Sequence, residues 1–78
     1  MNSKLTPEQI QLLKDELSTD LVVLLMNEYH LSTQEAIDTL YTSETFERLQ
    51  DNNTGLYYQS PKYVYSFLQN ELSAGVVS

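Results

Sequence analysis

Any acid–base or metal chemistry based on imidazole would have to use His30, which is the single histidine of the chain. Glu28 is a nearby carboxylate, but two ligands make neither a structural nor a catalytic zinc site. A histidine at the carboxyl end of a helix is favoured by the helix dipole, which gives His30 a structural explanation. We therefore expect no catalytic residue and no metal ligand.

Two pairs of carboxylates occur at helical spacing, Glu35 with Asp38 and Glu44 with Glu47. Both pairs fit solvated helix faces and favourable charge at helix starts better than a paired general acid and base. The chain has two glycines and shows no phosphate-binding loop, calcium loop or Ser-His-Asp order. The sequence predicts a protein that is not an enzyme and needs no cofactor.

Residues 54–65, with the sequence TGLYYQSPKYVY, hold four of the six tyrosines. Tyr57 and Tyr58 would point to opposite sides of an extended segment, so at most one could face the core. Tyr63 lies away from the apolar stripe of the following helix, and Tyr65 flanks that stripe. Exposed tyrosines are favoured anchors in protein interfaces, although rings that cap the edges of a small core are the alternative.

One continuous first helix from about Pro7 to Tyr29 is the simplest prediction, because Thr6 is a capping residue and Pro7 suits the first turn. A cap at Ser18 that divides it in two is the alternative. One face of this helix carries a leucine stripe. Its other side is apolar as well, and a helix that is apolar almost all round is normally buried from more than one direction. This back face consists of Val22, Val23 and Met26.

The remaining sequence predicts shorter helices. Ser32 and Glu35 form a capping box for a helix that ends near Tyr41, and another short helix follows residues 42–44. Residues 51–55 indicate a reversal and residues 56–59 an extended segment, before Ser60 and Pro61 begin the last helix. We expect one all-α domain over residues 1–78, a compact bundle of three to four helices with a long, largely buried first helix. Residues 1–5 and 73–78 should fray.

The charge excludes a common class of function. Eleven acidic and four basic residues give a formal net charge of -7, and nucleic-acid binding needs a cluster of Lys or Arg that the chain lacks. The longest apolar run, residues 21–26, is too short to cross a bilayer, and residues 1–4 do not begin a signal peptide. We expect a cytoplasmic protein that binds neither nucleic acid nor membrane.

The tyrosine-rich motif resembles one found in a bacterial protein domain family of unknown function. The similarity extends to Glu28-Tyr29 and to residues 32–36, and it covers most of the chain. Related small helical families occur beside toxin-like or effector-like genes. The resemblance therefore implies an antitoxin-like or accessory subunit that acts by direct protein contact, and it implies no catalytic residue.

The function predicted from the sequence is the binding of another protein. The candidate contact residues belong to the tyrosine motif and to the back face of the first helix: Tyr57, Tyr58, Tyr63, Tyr65, Val22, Val23 and Met26. One alternative is a homo-oligomeric structural protein, in which a homodimer buries the same back face. The other is an acidic mimic of nucleic acid.

Overall fold

The structure is a computed structural model that describes residues 4–75. Over these residues the chain forms four α-helices and no strand, which confirms the predicted all-α bundle. The helices are α1 (Pro7–Tyr29), α2 (Thr33–Tyr41), α3 (Glu44–Gln50) and α4 (Pro61–Gly75). Two single turns of 3-10 helix, Asn52–Thr54 and Leu56–Tyr58, join α3 to α4.

Local capping fixes where α1 begins and ends. Thr6 and Gln9 form a reciprocal capping box, with the Gln9 amide 3.1 Å from the Thr6 hydroxyl and the Thr6 amide 2.8 Å from the Gln9 side-chain oxygen. The helix continues past Ser18 without a break, as predicted. It ends at His30, which adopts the left-handed conformation with φ of 57°.

The helices α2 and α3 also begin at side-chain caps. Ser32 and Glu35 form the predicted capping box of α2. Ser43 caps α3, because its hydroxyl accepts a hydrogen bond from the Phe46 amide at 3.0 Å. The same hydroxyl donates to the Leu40 carbonyl at 2.6 Å, so a single buried serine joins the end of α2 to the start of α3.

The segment before α4 differs from the prediction. We expected residues 56–59 to be extended, but Leu56–Tyr58 forms a 3-10 turn that is closed by the Gln59 amide and the Leu56 carbonyl at 3.1 Å. Gly55 precedes it with φ of 70°, a left-handed conformation that reverses the chain. The tight turn lets Leu56 enter the core directly after the reversal.

The last helix is longer than expected. Ser73 and Ala74, which we predicted to fray, are helical because α4 continues to Gly75. The fraying predicted for residues 1–3 and 76–78 lies outside the described residues. No helix in the described part of the chain is long and apolar enough to cross a membrane.

The core lies where α1 meets the other three helices. Its largest fully buried side chains come from all four helices: Leu21, Leu25, Leu40, Leu49, Val64 and Leu68. Each such side chain stabilises the fold by about 1.5–3 kcal/mol. The first helix is long, as predicted, but it is buried along one face only, since Leu12 and Val23 on its other side are exposed.

Candidate protein-binding surface

The predicted back face of α1 forms one wall of an open groove against α2. The groove has a volume of about 540 Å³. We call it the α1–α2 groove; its lining residues are Asp15, Ser18, Thr19, Val22, Val23, Met26, Thr33, Ile37 and Tyr41. The structure therefore places Val22, Val23 and Met26 together, as the sequence predicted, and adds a second wall from α2.

Helical geometry explains why these side chains share a groove. Val22 and Met26 each follow a fully buried leucine of α1, so they lie at the edge of its buried stripe. On α2, residues 33, 37 and 41 are spaced by four and therefore lie on one face. Sequence reasoning did not select Ile37 and Tyr41, although this spacing was the available signal.

The groove is partly open to solvent. Val22, Met26 and Ile37 are half-buried, whereas Val23 is 48% exposed and Tyr41 is 57% exposed. The Tyr41 ring stacks on Phe46 with centroids 4.6 Å apart and planes 14° apart, which holds it in one orientation. An exposed but positioned tyrosine can contact a partner with little loss of side-chain entropy.

The carboxylates near the groove are held by neutral amides. The Gln11 side-chain nitrogen donates to Asp15 at 2.9 Å, and the Gln34 side-chain nitrogen donates to Asp38 at 3.1 Å. Asp15 lines the groove, and Asp38 follows Ile37 on the exposed side of α2. Neither amide carries a charge, and Asp15 is the one carboxylate among the residues that line the groove.

The predicted tyrosine surface is divided by the fold. Tyr57 is half-buried and Tyr58 is 64% exposed, and their rings meet edge to face with centroids 5.2 Å apart. They line a smaller recess, of about 220 Å³, against the residues of α1 that include Glu16 and Asp20. Asp20 also lines a recess with Val23, so this surface adjoins the α1–α2 groove along α1.

Tyr63 lies elsewhere on the molecule. It is 50% exposed, and its ring meets Phe67 edge to face with centroids 5.1 Å apart. Phe67 lines a third groove, between α3 and α4, together with Arg48 and Glu71. Tyr63 therefore does not share a surface with Tyr58, because the first turn of α4 carries them to different faces.

Tyr65 corrects the prediction most clearly, because it is buried, with 6% of its surface exposed. Its hydroxyl donates to a Glu28 carboxylate oxygen at 2.7 Å, and Glu28 also accepts from the Gln69 side chain at 2.9 Å. Burial, and then this hydrogen bond and the charge of Glu28, raise the pKa of the Tyr65 phenol. The side chain belongs to the core and to the α1–α4 contact.

Two further buried or half-buried charged residues were missed. The Lys14 ammonium donates to the Gln50 carbonyl at 2.7 Å and so satisfies the carboxyl end of α3. Its spacing from Leu17 and Leu21 was the sequence signal for burial. No such signal exists for Glu71, which meets α3 from a distant part of the chain.

Glu71 caps the amino end of α3. Its carboxylate accepts from the Glu44 amide at 2.7 Å and from both the amide and the hydroxyl of Thr45 at 2.9 Å. Burial acts to raise the pKa of Glu71, but these three hydrogen bonds and the positive charge of Arg48 outweigh it, so the pKa lies below its usual value.

The residues that the sequence offered for catalysis or metal binding lie at or near the ends of helices. His30 is exposed at the end of α1, and Glu35 belongs to the capping box of α2. Within residues 4–75 there is no group of three or more His, Cys, Asp or Glu side chains placed to hold a metal ion.

Comparisons with protein families, curated proteins and solved structures give no match for this chain. The resemblance based on the tyrosine motif therefore stays a prediction.

Proposed function

We propose that this protein is a binding module for another protein, and that the α1–α2 groove is its contact surface. The observation that carries the proposal is the uncovered apolar lining of this groove, which Val22, Val23, Met26, Ile37 and Tyr41 provide. A groove lined by apolar side chains of two helices is a surface on which a partner helix can pack.

The composition of the groove supports the proposal. Its centre is apolar and its ends carry small hydroxyl side chains, Ser18 and Thr33, together with one carboxylate, Asp15. Depletion of charge at the centre and a polar rim are typical of protein interfaces. Tyr41 supplies an aromatic ring of the type that anchors such contacts.

The exposed apolar side chains of the groove contribute little to the stability of the isolated domain. Burying the exposed part of an apolar side chain is worth roughly 25 cal/mol per Å², so a partner that covers Val23 and Tyr41 would gain this free energy on binding. The domain would act as an accessory subunit through direct contact, which is the role that the tyrosine-motif resemblance implies.

A matched set of tyrosine variants tests the proposal. Affinity capture of the tagged protein from its native lysate is compared for the wild type, Tyr41→Ala and Tyr63→Ala. Both substitutions remove an exposed ring that contacts a phenylalanine, but only Tyr41 lines the groove. We expect one stoichiometric partner that is retained by Tyr63→Ala and lost with Tyr41→Ala.

Two results would contradict this function. One is a partner that Tyr41→Ala still captures while Tyr58→Ala or Tyr63→Ala does not, which would move the contact surface to the tyrosine motif. The other is self-association alone, measured by sedimentation at micromolar concentration, which would indicate the homo-oligomeric alternative.

A further inference from the structure

We propose that the α1–α2 groove binds a basic amphipathic helix of the partner. This inference rests on the proposed function and adds to it the chemistry of the bound segment. Three features of the described residues support it: the dimensions of the groove, the charges beside it, and the positions of the cationic side chains of the protein.

The dimensions of the groove suit a helix. From Asp15 to Met26, α1 rises about 16 Å, which equals about three turns of a bound helix. Apolar side chains lie four residues apart on both walls, Val22 and Met26 on α1 and Ile37 and Tyr41 on α2. Ridges at this spacing accept the side chains of a third helix between them.

The charges beside the groove are negative. Asp15 lines the groove and Asp38 follows Ile37 of its α2 wall, and each accepts a hydrogen bond from a neutral glutamine side chain. No lysine or arginine is among the residues that line the groove. A ligand helix with Lys or Arg beside its apolar stripe would complement both carboxylates.

Three of the four lysine and arginine side chains have other positions in the described structure. Lys14 is buried and donates to the carboxyl end of α3, and Arg48 lines the groove between α3 and α4. Lys62, at the start of α4, lines an adjoining recess with Asp20, Val23 and Leu24. None of these three cationic side chains lines the α1–α2 groove itself, so a basic partner can pair with the carboxylate there.

A second copy of the chain fits this groove poorly. A twofold interface brings the same surface of both copies together, and this surface includes the Asp15 carboxylate. Each copy also carries a formal net charge of -7. Like charges at an interface cost affinity, whereas a basic ligand would be attracted to the same surface.

The test uses the full chain and a displayed library of 16-residue helical peptides with a fixed apolar stripe and random charge at the flanking positions. We expect selection at low ionic strength to enrich peptides with net positive charge. Their affinity should fall about fivefold with Asp15→Asn combined with Asp38→Asn, which removes two exposed ion pairs. Asparagine preserves the acceptor for each glutamine, so the fold should be retained by circular dichroism.

The matched control is Glu44→Gln combined with Glu47→Gln, which changes the net charge equally at two exposed residues of α3 that do not line the groove. We expect this variant to bind the selected peptides almost as the wild type does. An equal loss in both double variants would mean that only the overall field attracts the peptides, and it would overturn the inference.

The remaining outcomes separate the inference from the proposed function. Enrichment of neutral or acidic peptides whose binding is lost with Tyr41→Ala would overturn the basic helix but retain the groove as a binding site. Peptides that bind independently of Tyr41, or no enrichment at all, would overturn both. A dimer that dissociates with Tyr41→Ala would identify a second copy as the occupant and would also overturn the inference.

Discussion

The side of the bundle that contains α4 and the side that contains α2 are held together differently. Around α3 and α4, distant parts of the chain are joined by directed hydrogen bonds, from Lys14 to Gln50, from Tyr65 to Glu28 and from α3 to Glu71. Between α1 and α2 the packing is mainly apolar. The polar side-chain contact that joins those two helices in residues 4–75 is the Thr33 hydroxyl at 3.8 Å from the Met26 sulfur.

This difference indicates how a small domain can combine a defined fold with an open apolar surface. Hydrogen bonds are directional, so the α3–α4 side fixes how the helices are arranged. Apolar packing is not directional, and the α1–α2 side can present its unburied side chains to another helix. In the described residues, no buried side-chain nitrogen or oxygen lacks a hydrogen-bond partner.

The largest effect should come from the core beneath α4. Leu68→Ala removes a fully buried side chain and should lower the free energy of unfolding by about 3 kcal/mol. Leu12→Ala, the same change at an exposed position of α1, should alter it by less than about 0.5 kcal/mol. Urea unfolding measures both. Equal effects would show that Leu68 is not the better packed residue.

The cap on α3 should give the next largest effect. Glu71→Gln weakens three hydrogen bonds and should cost about 1–2 kcal/mol near neutral pH, whereas the exposed Glu47→Gln should cost little. Because the folded pKa of Glu71 is lowered, its stabilisation is present above the unfolded pKa and is lost as pH falls through the folded pKa. Urea midpoints measured across acidic pH should show a shallower decline for Glu71→Gln than for the wild type.

A smaller effect is expected for the buried phenol. Tyr65→Phe keeps the ring in the core and removes the hydroxyl that bonds Glu28, so it should cost about 1 kcal/mol. Tyr63→Phe is the matched control, because the Tyr63 hydroxyl makes no hydrogen bond to any residue between 4 and 75. If thermal unfolding shows the same change for both variants, the Tyr65–Glu28 bond does not stabilise the α1–α4 contact.

The smallest effect on folding should come from the open side. Val23→Ser makes an exposed groove position polar and should change the free energy of unfolding by less than about 0.5 kcal/mol, while it weakens partner binding. If Val23→Ser lowers the free energy of unfolding as much as Leu68→Ala does, Val23 belongs to the hydrophobic core. The contrast between the two sides of the bundle would then be wrong.

The helices were predictable because their signals are local. Thr6, Ser32 and Ser43 cap helices whose first amides lie within three residues, so each start could be recognised in the sequence alone. The 3-10 turn at Leu56–Tyr58 was missed because the short apolar run was interpreted as extended, although Gly55 had already been recognised as a reversal. The two segments whose secondary structure was predicted wrongly, Leu56–Tyr58 and the last residues of α4, are each about one helical turn long.

The candidate surface was only partly predictable. Val22, Val23 and Met26 share a side of α1 in any helix of this sequence, so their proximity required no tertiary information. The choice of α2 as the second wall did require it. The four tyrosines of the motif are close in sequence, but the turn and α4 direct Tyr58, Tyr63 and Tyr65 to three different environments.

The sequence by itself determined the helices, their caps, the apolar faces and the acidic charge, because each depends on side chains within a few residues of one another or on composition. The tertiary structure alone decided that Tyr65 is buried, that Lys14 and Glu71 satisfy the two ends of α3, and that the back face of α1 becomes a groove. These outcomes depend on how α4 and α2 pack against α1. That packing is set by contacts between residues far apart in the chain, which no local pattern specifies.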